Sequence, residues 1–157
     1  MENNIHNLIS LNEIKHFLRL TSDVDDKIII TLLETALFHL ERYMSQSLIQ
    51  KTYSQEIIQY DEEILLENGP VVKILSIETK DGSPVHYYSD NGSIVLTERH
   101  TKPVIVNYVV GLFKDILPSI FKFALLEIVS YLYNSDHTKT PLDSVLNQFN
   151  FLKKYKL

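Results

Sequence analysis

The chain has 157 residues, with 20 acidic side chains against 15 basic ones and a formal net charge of −5, and it contains no cysteine. A chain of this length can bury one core without disulfides or metals, so a single soluble domain over residues 1–157 is predicted. The absence of cysteine excludes thiolate metal sites and a cysteine nucleophile, and the four glycines lack the spacing of a phosphate-binding loop.

The charge and the N-terminus also bear on location. A net negative chain gives no bulk attraction toward nucleic acid or an anionic membrane. The first residues carry no lysine or arginine ahead of the first apolar residues, so no secretory signal is expected. The most apolar stretch, residues 123–133, is far shorter than the roughly 20 residues that a bilayer requires. Neither export nor a membrane partner is therefore predicted.

Two helices are predicted near the start of the chain. Ser10 and Glu13 have the Ser-x-x-Glu spacing of a capping box, which satisfies free backbone N–H groups at a helix start. The first helix should therefore begin at Leu11. Acidic residues favour the N-terminus of a second helix, because the helix dipole attracts negative charge there. Asp23 is predicted to cap this second helix, which should end at about Met44.

The second helix carries more apolar surface than one core contact requires. At 100° per residue its apolar side chains cover about 200°, roughly twice the arc of an ordinary surface helix. This excess predicts packing against two bodies, and in a small domain the second can be another copy of the chain. The predicted subunit-interface residues are Ile29, Ile30, Leu33, Leu37 and Met44.

Between Thr52 and Val110 the apolar period changes toward two, and turn signals such as Asp81-Gly82 separate β-branched and aromatic residues. The pattern predicts a small antiparallel sheet inserted between helical segments. Its predicted strands are 53–58, 73–80, 85–88, 93–97 and 104–109.

A further helix is predicted after Pro118, because proline suits a first helical turn and the following run is apolar on nearly every side. Such a helix should lie at the centre of the fold. The predicted fold class is α+β and mainly α: a helical bundle around this C-terminal hydrophobic helix, with the small antiparallel sheet inserted between helices.

Residues 138–157 are predicted to form a C-terminal docking arm. Apolar and aromatic residues are mixed with lysines there, and no acidic residue follows Asp143. The alternative is that Phe151 and Tyr155 stack on single-stranded nucleic acid, although the three lysines of residues 149–157 release few counterions. The predicted docking residues are Phe149, Phe151, Leu152, Lys153, Tyr155 and Lys156.

An acidic segment without lysine or arginine lies between Thr52 and Val72. Its sign is opposite to that of the C-terminal tail, and complementary fields orient association. Either the chain docks in a polarised way, or the two segments are simply solvated patches. The acidic residues assigned to a channel or docking surface are Glu56, Asp61, Glu62, Glu63 and Glu67.

No catalytic, metal-binding or cofactor-binding residue is predicted. The six histidines include no i, i+4 pair of the kind that binds metal on a helix. Glu78-Thr79-Lys80 matches half of a metal-dependent nuclease site, with Asp61 as a candidate metal ligand, but this tripeptide is common by chance. A small DNA-binding protein or metal-dependent nuclease of a mobile element is the alternative function, and a protein that is not an enzyme is the main expectation.

The order of these features resembles the small head-tail connector, or adaptor, proteins of tailed phages, prophages and gene transfer agents. The N-terminal helical pair, the proline-led strand, the last strand and the terminal leucine-tyrosine-basic motif all have counterparts in that family. Lys154 stands where the family usually has proline. The matching segments are 11–19, 23–26, 69–74, 104–111 and 152–156.

The resemblance implies a structural role. It implies a ring of about twelve identical subunits beneath the portal protein. Such a ring would contact a tail-side connector or stopper protein and leave a channel through which DNA passes without sequence-specific binding. The implied location is the head-tail junction of a virion or virus-like particle, assembled in the cytoplasm of a bacterial host. No cofactor and no membrane are implied.

Overall fold

A computed structural model describes residues 5–58, 63–90, 93–97, 102–134 and 141–154. The helices are α1 (Leu11–Leu18), α2 (Asp26–Met44), α3 (Ser119–Tyr133) and α4 (Leu142–Asn147), with short 3-10 turns at Ile5–Asn7 and Asn150–Lys154. The strands are β1 (Lys51–Ile57), β2 (Glu63–Ile64), β3 (Val71–Thr79), β4 (Tyr87–Asp90), β5 (Ser93–Leu96) and β6 (Val104–Val110). The chain divides into two compact units. Among the described residues, the helical unit contains those up to Gln46 and those from Phe113 onward, and the sheet unit contains Ser47–Leu112.

The start of α1 has the predicted capping box. The Ser10 hydroxyl accepts a hydrogen bond from the Glu13 backbone N–H at 3.2 Å, and the Glu13 carboxylate accepts one from the Ser10 N–H at 2.7 Å. The bond from the Ser10 N–H lowers the pKa of Glu13, because it favours the charged carboxylate. The prediction that the helix begins at Leu11 is confirmed.

The predicted cap of α2 is wrong by two residues. The N-cap is Asp25, whose carboxylate accepts a hydrogen bond from the Tyr133 hydroxyl of α3 at 2.7 Å. Asp23 instead pairs with the ammonium group of Lys15, a largely buried residue, and that group also donates to Asp26 at 2.9 Å. The bonds to Asp23 and then Asp26 raise the pKa of Lys15. The acidic turn therefore joins the start of α2 to both α1 and α3.

The core of the helical unit lies mainly between α2 and α3. One side of α3 is fully buried, but Ile120 and Phe123 of the same helix are exposed. The helix is apolar on nearly every side, as the sequence showed, but it is fully buried on one side only. The buried residues of the two helices are Ile29, Leu33, Ala36, Leu40 and Met44 on α2, and Phe121, Ala124, Leu125, Ile128 and Val129 on α3.

The sheet unit contains two three-stranded antiparallel sheets instead of the one that was predicted. Their strand orders are β1-β6-β3 and β2-β5-β4. The five predicted strands are confirmed, with ends within two residues of the observed ones. Strand β2 was missed because it has only two residues and lies inside the acidic segment.

Strand β6 is the centre of the larger sheet, and every second residue from Val104 to Val110 is buried. Tyr108 pairs with Tyr53 of β1, and their rings stack with centroids 6.2 Å apart. The α+β class is confirmed. The sheet unit has a hydrophobic core of its own, so the predicted helical bundle does not describe the whole chain. The core of the sheet unit also includes Ile64, Ile77, Val85, Ile94 and Leu96.

Candidate interaction surfaces

The described part of the C-terminal segment, residues 141–154, packs on α2 and α3 within the helical unit. The Tyr43 hydroxyl of α2 donates a hydrogen bond to the Asn147 side-chain oxygen at 3.0 Å. The Lys153 ammonium group lies 3.7 Å from the centre of the Tyr43 ring, which is a close cation–π contact. Tyr43 therefore holds both α4 and the last 3-10 turn on α2.

A row of aromatic rings fixes the same segment. Phe149 is buried, and its ring meets Phe123 edge to face at 6.2 Å. Phe123 in turn meets Phe17 of α1 edge to face at 6.3 Å. Edge-to-face pairs of this kind add to the stabilisation that burial provides. The C-terminal segment is thus part of the helical core.

This arrangement divides the predicted docking residues. Phe149 and Leu152 are buried, so they can reach a partner only if the segment leaves the core. Phe151, with 54% of its surface exposed, and the exposed Lys153 are at the surface. Tyr155 and Lys156 lie outside the described residues.

The predicted interface on α2 requires a correction. Ile29, Leu33 and Met44 are buried in the core of this same chain, so they have no surface to offer to a second copy. Ile30 is exposed and Leu37 is half-buried. About half of the apolar residues in this arc are buried in the core of this chain. The interface prediction is thereby reduced to Ile30 and Leu37.

The outer side of α2 contains a residue that sequence reasoning missed. Phe38 points away from the buried row of α2, is 59% exposed, and makes an edge contact with the His39 ring at 5.7 Å. Helical spacing places Ile30, Glu34 and Phe38 on one stripe, with Glu41 beside it. We call these four residues the Phe38 face. The sequence signal that could have identified Phe38 is an aromatic residue inside the polar arc of an amphipathic helix.

A second exposed apolar surface lies on β3. The register with β6 shifts between Val71 and Lys73 and again between Ile74 and Ser76, so Val72 and Leu75 are the extra residues at two irregularities. Each of these two side chains is 48% exposed. We call Val72, Lys73 and Leu75 the β3 edge. The signal in the sequence is the pair of apolar doublets that interrupt the alternation.

The acidic segment is only partly described. Glu56 on β1 pairs with the Lys80 ammonium group at 2.8 Å, so its charge is partly compensated. The backbone N–H of the exposed Glu67 donates to the Gln55 side-chain oxygen at 3.1 Å, and that oxygen also accepts from the Tyr108 hydroxyl. Glu63 lies in β2, while Asp61 and Glu62 are outside the described residues. The assignment to a channel or docking surface stays a prediction.

The strand end that resembles half of a nuclease site forms a hydrogen-bonded turn. The Thr79 hydroxyl donates to the Asp81 carboxylate, and the Ser83 N–H donates to it as well. These bonds lower the pKa of Asp81 to about 2. Within the described ranges, no group of three or more histidine and carboxylate side chains is placed to hold a metal ion. No helix in those ranges is long and apolar enough to cross a membrane.

Comparisons with known proteins give structural matches only. No family model matches the chain, and no curated protein matches it. A chain from the neck of an empty gene transfer agent particle, computed with C6 symmetry, matches with a TM-score of 0.70 and 15% identity over 95% of this chain and 93% of that one.

Two further solved structures agree with the first. A chain from the neck of a native particle, computed with C12 symmetry, has a TM-score of 0.64 and 14% identity over 95% of this chain and 93% of that one. A chain from the virion of a native gene transfer agent has a TM-score of 0.62 and 17% identity over 89% and 88%. The chain therefore has the fold of gene transfer agent neck and virion components, which confirms at the level of fold the resemblance noted from the sequence.

Proposed function

We propose that this chain is a structural subunit of the neck of a tailed-phage-like or gene transfer agent particle, and that it is not an enzyme. The observation that carries the proposal is the fold match to a particle neck component over 95% of this chain and 93% of the other. In this role the chain would be assembled in the cytoplasm of a bacterial host and would lie at the head-tail junction of the particle.

The proposed assembly is a closed ring of identical copies. Proteins of the same fold come from necks computed with C6 and C12 symmetry, which supports such a ring for this chain. Both of its units expose large apolar side chains, as expected of surfaces that a partner covers. The portal protein would contact one side of the ring, and a tail-side connector or stopper the other. A net charge of −5 would let DNA pass through the channel without adhering.

Deletion of the coding sequence in cells that produce the particle tests this role. We expect heads that lack tails, because the ring would be the physical link between the two. Electron microscopy of purified particles measures the tailed fraction, and a plasmid copy of the wild-type sequence should restore it. Particles that lack the chain, or that keep normal tails after its deletion, would contradict the proposal.

We further propose that the C-terminal arm docks on the portal protein through Phe149, Phe151, Leu152, Lys153, Tyr155 and Lys156. Full docking would require Phe149 and Leu152 to leave the helical core. Exposing two such side chains costs about 1.5–3 kcal/mol each, so contacts with the portal would have to offset that cost. Phe151 is already exposed and is therefore the residue that would make first contact.

Phe151→Ala should separate docking from folding. Because Phe151 is 54% exposed, we expect the free energy of unfolding to change by less than about 1 kcal/mol. Loss of an aromatic anchor should weaken binding to the portal protein by about tenfold or more. Biolayer interferometry with purified portal protein measures the affinity, and urea denaturation measures the stability.

The matched control is Ile116→Ala, which removes another exposed apolar side chain from the helical unit. It should leave both stability and portal affinity unchanged. Equal portal affinity for wild type and Phe151→Ala would exclude Phe151 as the anchor.

A further inference from the structure

We propose that the Phe38 face of one copy packs against the β3 edge of the next copy. The inference rests on the proposed function, since a closed ring of identical subunits requires each one to offer two different surfaces. It identifies those two surfaces, one in the helical unit and one in the sheet unit.

The Phe38 face has the character of one half of such a contact. It combines an exposed aromatic ring and the exposed Ile30 with the carboxylates of Glu34 and Glu41. The Glu34 side chain is 60% exposed although it pairs with His6 at 3.1 Å. Two copies of this face would bring carboxylates together, and juxtaposed like charges oppose association. The Phe38 face therefore requires a partner surface that is apolar and basic.

The β3 edge meets that requirement. The exposed Lys73 lies between Val72 and Leu75 in the sequence. Val72 and Leu75 are three positions apart, and both are exposed where the register with β6 shifts. Lys73 is complementary in charge to Glu34 and Glu41. Apolar contacts surrounded by opposite charges favour this pairing over either surface meeting its own copy.

The irregular register of β3 indicates how the partner docks. In the described residues, the Thr79 N–H donates to the Ser83 carbonyl and the Val85 N–H donates to the Ile77 carbonyl at the C-terminal end of β3, and no strand pairs with the outer side of its first six residues. The register shifts at Val72 and Leu75 interrupt the regular row of backbone groups that an added strand would need. The partner therefore docks through side chains, as a helix does. The opposite edge strand, β1, exposes polar residues, namely Thr52, Ser54 and Glu56.

Cysteine cross-linking tests the pairing directly, because the natural chain contains no cysteine. The double variant Phe38→Cys/Leu75→Cys carries one thiol on each proposed surface. On oxidation we expect a ladder of disulfide-linked dimers, trimers and higher species on a non-reducing gel. The two single variants should stay monomeric alone and give dimers only when mixed. The reaction is run on the concentrated free protein and on purified particles that carry the double variant.

The control is Phe38→Cys/Ile58→Cys, which places the second thiol on another exposed apolar residue of the sheet unit. It should form no ladder, and circular dichroism should show that all variants are folded. A double variant that stays monomeric in both samples overturns the pairing. A single variant that dimerises as readily as the mixture also overturns it, because the contact would then be symmetric.

Whether the chain is present in the neck of the particle is determined in a measurement separate from the cross-linking gel. If the chain is found in the neck but no ladder forms, the pairing is wrong and the proposed function stands. If the chain is absent from purified particles, the proposed function fails whatever the gel shows.

Discussion

Gly111→Ala is expected to destabilise the chain by at least about 3 kcal/mol, an effect reserved for substitutions that force a steric overlap or a strained backbone. Gly111 has a φ of +120°, which side chains of L-residues rarely adopt. A Cβ atom there would lie 2.4 Å from the Ile49 carbonyl oxygen and 2.7 Å from the Gln50 Cα. Those atoms are backbone, so no side-chain rotation can relieve the overlap.

The surroundings of Gly111 prevent the backbone from moving away. Its N–H donates to the Pro70 carbonyl at 3.0 Å, and the next N–H, from Leu112, donates to the Ser47 carbonyl at 3.1 Å. A shift large enough to fit a methyl group would break these bonds. Because they tie the end of β6 to the residues before β1 and β3, the loss should spread through the larger sheet.

Urea denaturation followed by circular dichroism measures this effect, and Gly82→Ala is the matched control. Gly82 also has a positive φ, +81°, but a Cβ atom there would have no neighbour within 4 Å. The control should therefore cost only the backbone strain, about 1 kcal/mol. Similar losses for the two variants would mean that the close approach to Ile49 does not limit the sheet.

The regular elements could be predicted from the sequence because local chemistry determines them. The capping box at Ser10 and Glu13 fixed the start of α1, and the alternation in β6 identified its buried face. The N-cap of α2 could not be predicted from local chemistry. Any of the three aspartates suits that position, and the choice depends on Lys15 and Tyr133, which come from α1 and α3.

The candidate surfaces were harder to predict, because a sequence shows which residues are apolar but not which of them are buried in the core. The apolar arc of α2 predicted packing against two bodies, but Ile29, Leu33 and Met44 are buried in the core of this chain. Val72 and Leu75 are exposed, and each lies where the register with β6 shifts. Those shifts are tertiary features, which period-two alternation does not encode.

For the C-terminal segment, too, the sequence did not show which apolar residues are buried in the core. Its mixture of lysine and aromatic residues predicted a separate arm, whereas Phe149 and Leu152 fill the helical core. The contact that decides this involves Tyr43, about a hundred residues earlier, whose ring lies beneath Lys153. Composition alone therefore cannot distinguish a C-terminal arm that extends into solvent from one that packs against the core.

Phe121→Ala is expected to lower the free energy of unfolding by about 3–5 kcal/mol, which is typical of truncating a buried phenylalanine. The Phe121 side chain is fully buried, and its ring lies 4.9 Å from the Phe113 ring. Alanine would leave a cavity between α3 and the segment that leads into it. The whole stability of a domain of this size is about 5–15 kcal/mol, so much of the variant should be unfolded at modest urea concentrations.

Phe123→Ala, two positions along the same helix, is the matched control. Phe123 is 46% exposed, and its ring makes only edge contacts with Phe17 and Phe149 among the aromatic pairs of the described residues. Its removal should cost about 1 kcal/mol. The sequence gives the two phenylalanines the same apolar context, so the difference between the variants measures what tertiary packing alone contributes. Equal losses would mean that α3 is buried on both sides, as its composition predicted.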